Sequence, residues 1–178
     1  MTEYISTKDT AKLVRQALKN AFPGVKFSVR MSTGTGSAWM NVSWNDGPTS
    51  RDVDAITARY EGRTFNGMTD GYDDCGTALV AFDGEAMPRE VRYTCDGINT
   101  HRSYTTAGYV VAQHLISTDS DRKELVLFTP EGEAVSGVTL PTDIYVAGHF
   151  IDCVFSAEGI AQRILHHVNL CAAGVPTK

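Results

Sequence analysis

Signals that would assign this chain to a membrane, a secretory route or a cofactor class are missing from it. Its first residues lack the basic and apolar regions of a secretory signal, and no apolar run approaches the roughly 20 residues that span a bilayer. No glycine-rich phosphate loop, zinc-finger spacing or aromatic RNA-binding signature occurs. These absences predict a cytoplasmic protein with no membrane partner and no cofactor.

Cysteine is scarce, and its spacing is not that of a metal or redox motif. The chain has four cysteines, none of them in a C-x-x-C pair. In a reducing cytosol such residues are free thiols, and several are buried. We therefore expect thiols rather than disulfides at Cys75, Cys95, Cys153 and Cys171.

Length and composition are those of one folded domain. The 178 residues are 42% hydrophobic and 21% charged, which supplies enough apolar material for a core and argues against disorder. We interpret residues 1–178 as a single α+β domain, with a sub-boundary, if there is one, near residues 105–108. The net charge of −5 argues against a general polyanion binder.

The first third of the chain has the clearest periodicity. Ser6 and Asp9 form a short-acid capping pattern, and apolar residues at helical spacing predict a helix over residues 7–21. Alternating apolar and polar residues predict antiparallel strands over residues 27–31 and 38–44. The chain should therefore begin with a helix followed by two paired strands.

A turn over residues 45–48 separates these strands from a second helix. Asn, Asp, Gly and Pro in succession end the strand, and Thr49 with Asp52 can cap the helix, which ends at Gly62. The amides of its first turn could hold an anion, although Thr49 and Asp52 can satisfy them. Two amphipathic helices would then cover one face of an antiparallel sheet.

The rest of the chain has weaker patterns. We predict strands over residues 77–82, 90–95, 109–116, 124–128, 143–146 and 150–155, with a hairpin turn at 131–132. Ser156 can cap a last helix that runs to about residue 172, with Gly174 and Pro176 beyond its end.

A basic stripe on the first helix is the clearest charged feature. Residues 1–30 hold six Lys or Arg and two acids, so this segment carries +4 and the remainder −9. Such a stripe could bind phosphate backbones, or it could be an ordinary solvated helix face. The candidate nucleic-acid-binding residues are Lys8, Lys12, Arg15 and Lys19.

The strand around Trp39 offers a second candidate surface. Trp39, Asn41 and Ser43 alternate with the apolar residues that face the predicted core. An exposed Trp on such a face is typical of a contact surface, although the C-terminal half could also cover it. We take Trp39 and Asn41 as candidate protein-binding residues.

Two residue groups have metal-ligand chemistry, but neither has a metal-site pattern. An acidic cluster lacks the terminal Glu of a twelve-residue calcium loop, so a polar turn explains it better. Its members are Asp70, Asp73 and Asp74. Two His/Cys pairs at a spacing of four could together form a four-ligand zinc site. They are His149 with Cys153 and His167 with Cys171. We predict no metal.

An enzyme remains an alternative with little support from motifs. Cys95 lies close in sequence to His101, and a catalytic cysteine needs a base within hydrogen-bond reach. No nucleophile elbow or amide-hydrolase pattern surrounds this pair. We therefore predict no catalytic residues and leave the cysteine- or histidine-dependent enzyme as the less favoured hypothesis.

Five segments of the first 105 residues resemble one known family. The segments are YIST (residues 4–7), AFPGVKFSVR (21–30), VSWNDGPT (42–49), FNGMTD (65–70) and VRY (91–93). Together they resemble a large polyvalent protein-associated domain, over roughly residues 4–105. Such domains occur in long multidomain proteins of phages and conjugative elements, and also alone. The resemblance implies a protein that accompanies mobile DNA, and it supplies no catalytic residues.

These observations favour a non-enzymatic binding module of a phage or mobile element. We expect it to act on a host protein or on nucleic acid, in DNA transfer or counter-defence. The acidic remainder fits an inhibitor of a nucleic-acid-binding defence complex, because acidic surfaces compete with nucleic acid for basic grooves. The alternatives are direct DNA or RNA binding by the basic first helix and a cysteine- or histidine-dependent enzyme. The oligomeric state is not predicted.

Overall fold

Four α-helices and ten strands form the described part of this computed structural model, which is residues 2–32, 38–82, 87–152 and 156–171. In chain order they are β1 (Glu3–Ile5), α1 (Thr7–Ala21), β2 (Ser28–Met31), β3 (Trp39–Asn45), α2 (Ser50–Thr57), β4 (Arg63–Asn66), β5 (Gly71–Asp74), β6 (Ala78–Val80), β7 (Arg89–Tyr93), β8 (Gly97–Ser103), α3 (Thr106–Thr118), β9 (Asp143–Val146), β10 (His149–Asp152) and α4 (Ala157–His166). The predicted α+β class is confirmed.

The chain forms two compact units. The first comprises Met1–Trp44 and Arg51–His101, and the second comprises Asn45–Ser50 and Arg102–Lys178. The assignment of residues 1–178 to one domain stays a prediction. None of the helices in the described ranges is long and apolar enough to cross a membrane.

The first unit is built on the sheet β2-β3-β8. β2 and β3 pair antiparallel, with Val29 opposite Val42, as the alternation predicts. α1 begins at Ser6, whose side chain accepts from the Asp9 amide, and it buries one face against the sheet. The core joins residues of α1, α2 and all three strands: Ala11, Val14, Leu18, Val29, Met40, Val42, Trp44, Val53 and Ile98, together with Cys95. Two helices therefore cover the same face of this sheet, as predicted, although α2 ends at Thr57 rather than at Gly62.

Two smaller sheets complete the first unit. β1 pairs parallel with β7, which also pairs antiparallel with β6. β4 and β5 form an antiparallel hairpin in which Phe65 lies opposite Tyr72. β6 and β7 correspond to predicted strands, but β1, β8 and the β4–β5 hairpin were not predicted. These strands are short or mostly polar, so alternation gave little indication of them.

The second unit has its own core, formed by α3, α4 and the β9–β10 hairpin. The predicted strand over residues 109–116 is wrong, because this segment is part of α3. Its consecutive apolar and β-branched residues favoured a strand, yet the residues it buries are Gly108, Ala112 and Ile116, at helical spacing. Tertiary burial has overridden local propensity here.

Two further expectations for the second unit are corrected. Residues 124–128 form no strand, and only Phe128 makes a bridge, to Ala134 across the predicted turn. The last helix has the predicted cap, since the Ser156 hydroxyl accepts from the Gly159 amide, but it ends at His166 rather than near residue 172. The predicted strand over 150–155 is β10 as far as Asp152, and residues 153–155 lie outside the described ranges.

One arginine of the second unit organises the turn that follows β3. Arg102 is 8% exposed, and its guanidinium donates to the carbonyl oxygens of Asp46 (2.8 Å), Gly47 (2.9 Å), Leu165 (2.7 Å) and Val168 (2.9 Å). Asp46 and Gly47 both have positive φ, of 53° and 61°, and both carbonyls accept from the arginine. This fork of donors holds the turn and the end of α4 together.

Candidate functional site

The face of the β2-β3-β8 sheet that the helices leave uncovered carries Trp39, Asn41 and Ser43 from β3. Asn41 is exposed, and Trp39 and Ser43 are half-buried. The register places Arg30 of β2, which is exposed, opposite Asn41. On the other side of β3, the Asn99 amide donates to the Asn41 side-chain oxygen at 3.3 Å. We call this surface the open face.

Three aromatic rings lie together at one end of the open face. Phe65 and Tyr72 are cross-strand neighbours on the β4–β5 hairpin, with ring centroids 5.5 Å apart. The Tyr72 ring meets the Trp39 ring edge to face at 5.7 Å. Phe65 is 57% exposed and Tyr72 is 52% exposed. We call Trp39, Phe65 and Tyr72 the aromatic edge.

The position of the Trp39 ring depends on a glycine in the neighbouring strand. A Cβ atom at Gly97 would lie 2.5 Å from the Trp39 ring, closer than real Cβ contacts allow. The ring therefore packs directly on the backbone of β8 and cannot rotate into that space. The Trp39 ring is thus held in place by packing.

The sequence predicted the Trp39 and Asn41 part of this surface but not the remainder. Phe65, Tyr72 and Asn99 were missed because β8 and the hairpin were not recognised as strands. The hairpin did have a signal, since Asn66 and Gly67 form an Asn-Gly pair beside the alternating residues of β4. A two-residue turn at that pair would place Phe65 opposite Met68, whereas the observed loop over residues 67–70 places Phe65 opposite Tyr72, so even this signal predicts the wrong register.

The predicted basic stripe is present on α1, and all four of its side chains are exposed. Two of them already have partners within the chain. Lys12 forms an ion pair with Asp9 at 2.7 Å, and Arg15 donates to the Val29 carbonyl at 2.7 Å. Lys8 and Lys19 lie eleven residues apart, or about 16 Å along the helix axis. The stripe thus has fewer uncommitted charges than its sequence indicates.

A cleft of about 200 Å³ lies beside the β4–β5 hairpin and is lined in part by Tyr4 and two arginines. Arg63 pairs with Asp96 at 3.4 Å, and Arg92 pairs with Asp74. Each positive charge in the cleft is therefore matched by a carboxylate of the same chain. The cleft favours neither an anion nor a cation.

Cys95 has none of the properties of an activated nucleophile. Its side chain is completely buried in the core of the first unit, and its Sγ donates to the Gly97 carbonyl at 3.4 Å. Burial raises the pKa of the thiol to about 11. His101, the base proposed from sequence, has an exposed side chain on the surface. The geometry does not support a Cys95–His101 pair.

We expect Cys95 to react with iodoacetamide at least about 100-fold more slowly than exposed Cys171 at pH 7.5, because the thiolate is the reactive form. Peptide mass spectrometry after timed labelling measures both rates, and the urea-unfolded protein, in which both should react alike, is the control. Equal rates in the folded protein would contradict the buried, protonated thiol.

The four-ligand zinc site that the His/Cys spacing would allow, and that we did not predict, is not assembled by its described members. The rings of His149 and His167 are stacked, with centroids 4.0 Å apart and planes at 10°. In such a stack the in-plane lone pairs of the two rings do not converge on one ion. Cys153 lies outside the described residues. Within those residues, no group of three or more His, Cys, Asp or Glu side chains could hold a metal ion.

The stacked histidines should make stability depend on pH. Burial, and then the charges of His149 and His166, lower the pKa of His167 from its ordinary 6.5. The unfolded chain therefore binds a proton before the folded chain does, so stability is full above pH 6.5 and falls as pH drops through that range. Urea midpoints should decrease between pH 7.5 and 5.5, and His167→Gln should reduce that decrease. An unchanged pH profile in the variant would contradict the assignment.

The acidic cluster serves the β4–β5 hairpin. Asp70 occupies the turn with a φ of 49°, Asp73 accepts from the Asn66 amide at 2.7 Å, and Asp74 pairs with Arg92. The Asp73 and Asp74 side chains thus bond to different partners. This arrangement agrees with the polar turn that the sequence predicts.

Comparison with known families gives one match. The family described as Large polyvalent protein associated domain 29 matches residues 5–105, which is more than half of the chain and agrees with the predicted resemblance. No curated protein and no solved structure gives a match. The matched segment includes the open face, the aromatic edge and Arg102. The chain therefore belongs to the family of large polyvalent protein associated domain 29, a phage- and mobile-element-associated domain.

Proposed function

We propose that the chain is a non-enzymatic binding module of a phage or mobile element, and that it binds its partner through the open face. The partner is a host protein or a nucleic acid, encountered in DNA transfer or counter-defence. One observation carries this proposal: a sheet whose first face is sealed by α1 and α2 presents on its second face exposed polar side chains beside a packed aromatic group.

This combination has the make-up of a binding surface. Aromatic side chains that are held in place lose little conformational entropy on binding, and they dominate interface energies. Arg30, Asn41 and Asn99 add hydrogen-bonding groups next to the rings.

Site-directed photo-crosslinking tests this proposal. A photoreactive phenylalanine analogue at Asn41 should give a crosslinked adduct in host-cell lysate, because this exposed position lies in the middle of the open face. The matched control is the same analogue at His114, an exposed position on α3 of the second unit. Protease and nuclease digestion of the adduct then identify the class of the partner.

An adduct from position 41 that is absent from position 114 supports the open face as the binding surface. Equal yields from both positions would show that binding occurs elsewhere. The same conclusion would follow if position 41 gives no adduct in host lysates in which the analogue placed on α1 does give one.

A second candidate is direct DNA or RNA binding through α1. The observation in its favour is that Lys8, Lys12, Arg15 and Lys19 are all exposed on one side of the helix. Binding of this kind would be steeply salt-dependent, since each neutralised phosphate releases counterions. Reversing Lys12 and Arg15 should then abolish binding in a salt series with single- and double-stranded DNA. Unchanged affinity would exclude the stripe.

A further inference from the structure

We infer that the ligand of the open face is a single strand of nucleic acid, whose bases stack on the aromatic edge while its backbone crosses the sheet. This inference rests on the proposed function and names the partner of the same surface. It is argued from the charge of the three strands, from the exposure of the rings and from the polar groups beside them.

The charge of the sheet differs from that of the whole chain. No residue of β2, β3 or β8 is Asp or Glu, although the chain has 21 acidic residues and a net charge of −5. The ionisable side chains in these strands are Arg30 and His101, which are exposed, and Arg102, which is buried. The three strands thus carry no carboxylate, whereas the β4–β5 hairpin holds exposed Asp73 and Asp74, which are bonded to Asn66 and Arg92. A polyanion can approach the sheet itself without repulsion from carboxylates of these strands.

The aromatic edge provides surfaces on which bases can stack. More than half of the Phe65 and Tyr72 side chains is exposed, and Trp39 joins them into one continuous group of rings. Aromatic side chains on an open sheet bind unpaired bases, and each stacked base contributes about 1–3 kcal/mol. Bases in a duplex are already stacked on one another, so this surface selects single strands.

Polar side chains lie where a bound nucleic-acid strand would continue from the rings across the sheet. Arg30 is exposed opposite Asn41 and can contact a phosphate, and the amides of Asn41 and Asn99 can bond base edges. The Asn99 side-chain oxygen and the Ser43 hydroxyl on the same face can also accept hydrogen bonds, so the face can contact either deoxyribose or ribose.

Fluorescence anisotropy with labelled oligonucleotides tests the inference. A length of about 15 nucleotides covers the site sizes of folds that bind single strands. The probes are oligothymidylate, oligouridylate and a DNA duplex of equal length. Wild-type protein should bind oligothymidylate at least about tenfold more tightly than the duplex, and the comparison with oligouridylate shows whether the single strand is DNA or RNA. Binding of the duplex as tightly as the tighter of the two single strands would overturn the assignment to a single strand.

The chain contains a matched control for the aromatic edge. Phe150 and Tyr145 are also cross-strand neighbours on a hairpin, and their exposures of 66% and 50% are close to the 57% and 52% of Phe65 and Tyr72. The double variant Phe65→Ala/Tyr72→Ala should lose at least about 30-fold in affinity, which corresponds to two stacked bases at the low end of the range. Tyr145→Ala/Phe150→Ala should change affinity less than twofold. Equal effects of the two double variants would refute stacking at this site.

Two single substitutions keep the test valid if the aromatic variant folds poorly. Arg30→Gln should lower the magnitude of the slope of log K against log salt by about 0.7, the value for one phosphate of a single strand. Asn41→Asp has the same shape and adds a carboxylate beside Arg30, so it should weaken binding. If both variants bind oligothymidylate as the wild type does, the DNA does not cross the open face.

The oligonucleotide-binding test can fail independently of the photo-crosslinking test of the proposed function. A protease-sensitive adduct from position 41, together with no binding of either single strand, would keep the open face as a binding surface and reject nucleic acid as its ligand. Absence of both would reject the surface itself.

Discussion

Replacing Arg102 with Met is expected to lower the free energy of unfolding of the second unit by about 3–5 kcal/mol. The guanidinium is 8% exposed and donates four hydrogen bonds to backbone carbonyls. Methionine fills similar volume but removes the charged donor from all four oxygens, in a place that water does not readily reach. The Gly47 and Leu165 oxygens keep the amides of Leu170 and Val168 as donors, so the loss falls mainly on the oxygens of Asp46 and Val168. Urea unfolding followed by far-UV circular dichroism measures the loss.

Two further variants test whether the buried hydrogen bonds of Arg102 cause this loss of stability. Arg102→Lys should lose less than Arg102→Met, because an ammonium has three donors at one point and cannot span four carbonyls. Arg122 also donates to a backbone carbonyl, that of Asp143, but its side chain is 45% exposed, so Arg122→Met should cost no more than about 1 kcal/mol. Similar losses for Arg102→Met and Arg122→Met would show that the buried fork is not what holds the turn.

Replacing Gly62 with Ala is expected to destabilise the first unit by about 2–4 kcal/mol. A Cβ at this position would lie 2.2 Å from the Tyr93 carbonyl oxygen and 3.1 Å from that of Cys95. The Gly62 amide also donates to the Cys95 carbonyl at 2.7 Å, so the two chain segments cannot move apart without losing this bond. The obstacle is backbone, which cannot rotate away as a side chain could.

The control is Gly67→Ala in the turn of the β4–β5 hairpin. There the nearest atom to an added Cβ is Cε1 of Phe65 at 3.8 Å, an ordinary contact, so this variant should change stability by less than about 1 kcal/mol. Thermal unfolding of both variants gives the comparison. A Gly62→Ala protein as stable as Gly67→Ala would mean that the segment ending α2 is less tightly packed than the structure indicates.

The turn over residues 45–48 shows what the sequence could and could not predict. Its residue types predict a strand end and a helix start, and both are found. They do not predict that Asp46 and Gly47 present their carbonyls to Arg102, because the partner lies more than 50 residues away along the chain. Local residue types predict a turn, but only tertiary packing determines which distant side chain its carbonyls contact.

The candidate site, too, could be predicted only in part from the sequence. Alternation in β3 identified Trp39 and Asn41, because one face of that strand is clearly apolar. Nothing in β3 indicates that Tyr72 meets Trp39 or that Asn99 bonds Asn41. The wrong strand prediction for the segment that forms α3 has a different origin. Its apolar run contains residues that favour strands, but the residues it buries are at helical spacing. Periodicity predicts elements, and long-range pairing assembles the surface.

The measurement that tests the central claim most directly is the access of acrylamide to Trp39 with and without bound oligothymidylate. The only other tryptophan, Trp44, is 3% exposed and gives a nearly constant background, so changes in quenching report on Trp39 at the end of the open face. Saturation with oligothymidylate should protect Trp39 and quench part of its emission. An oligonucleotide that binds and leaves both the emission of Trp39 and its access to acrylamide unchanged would place the ligand elsewhere and contradict the account.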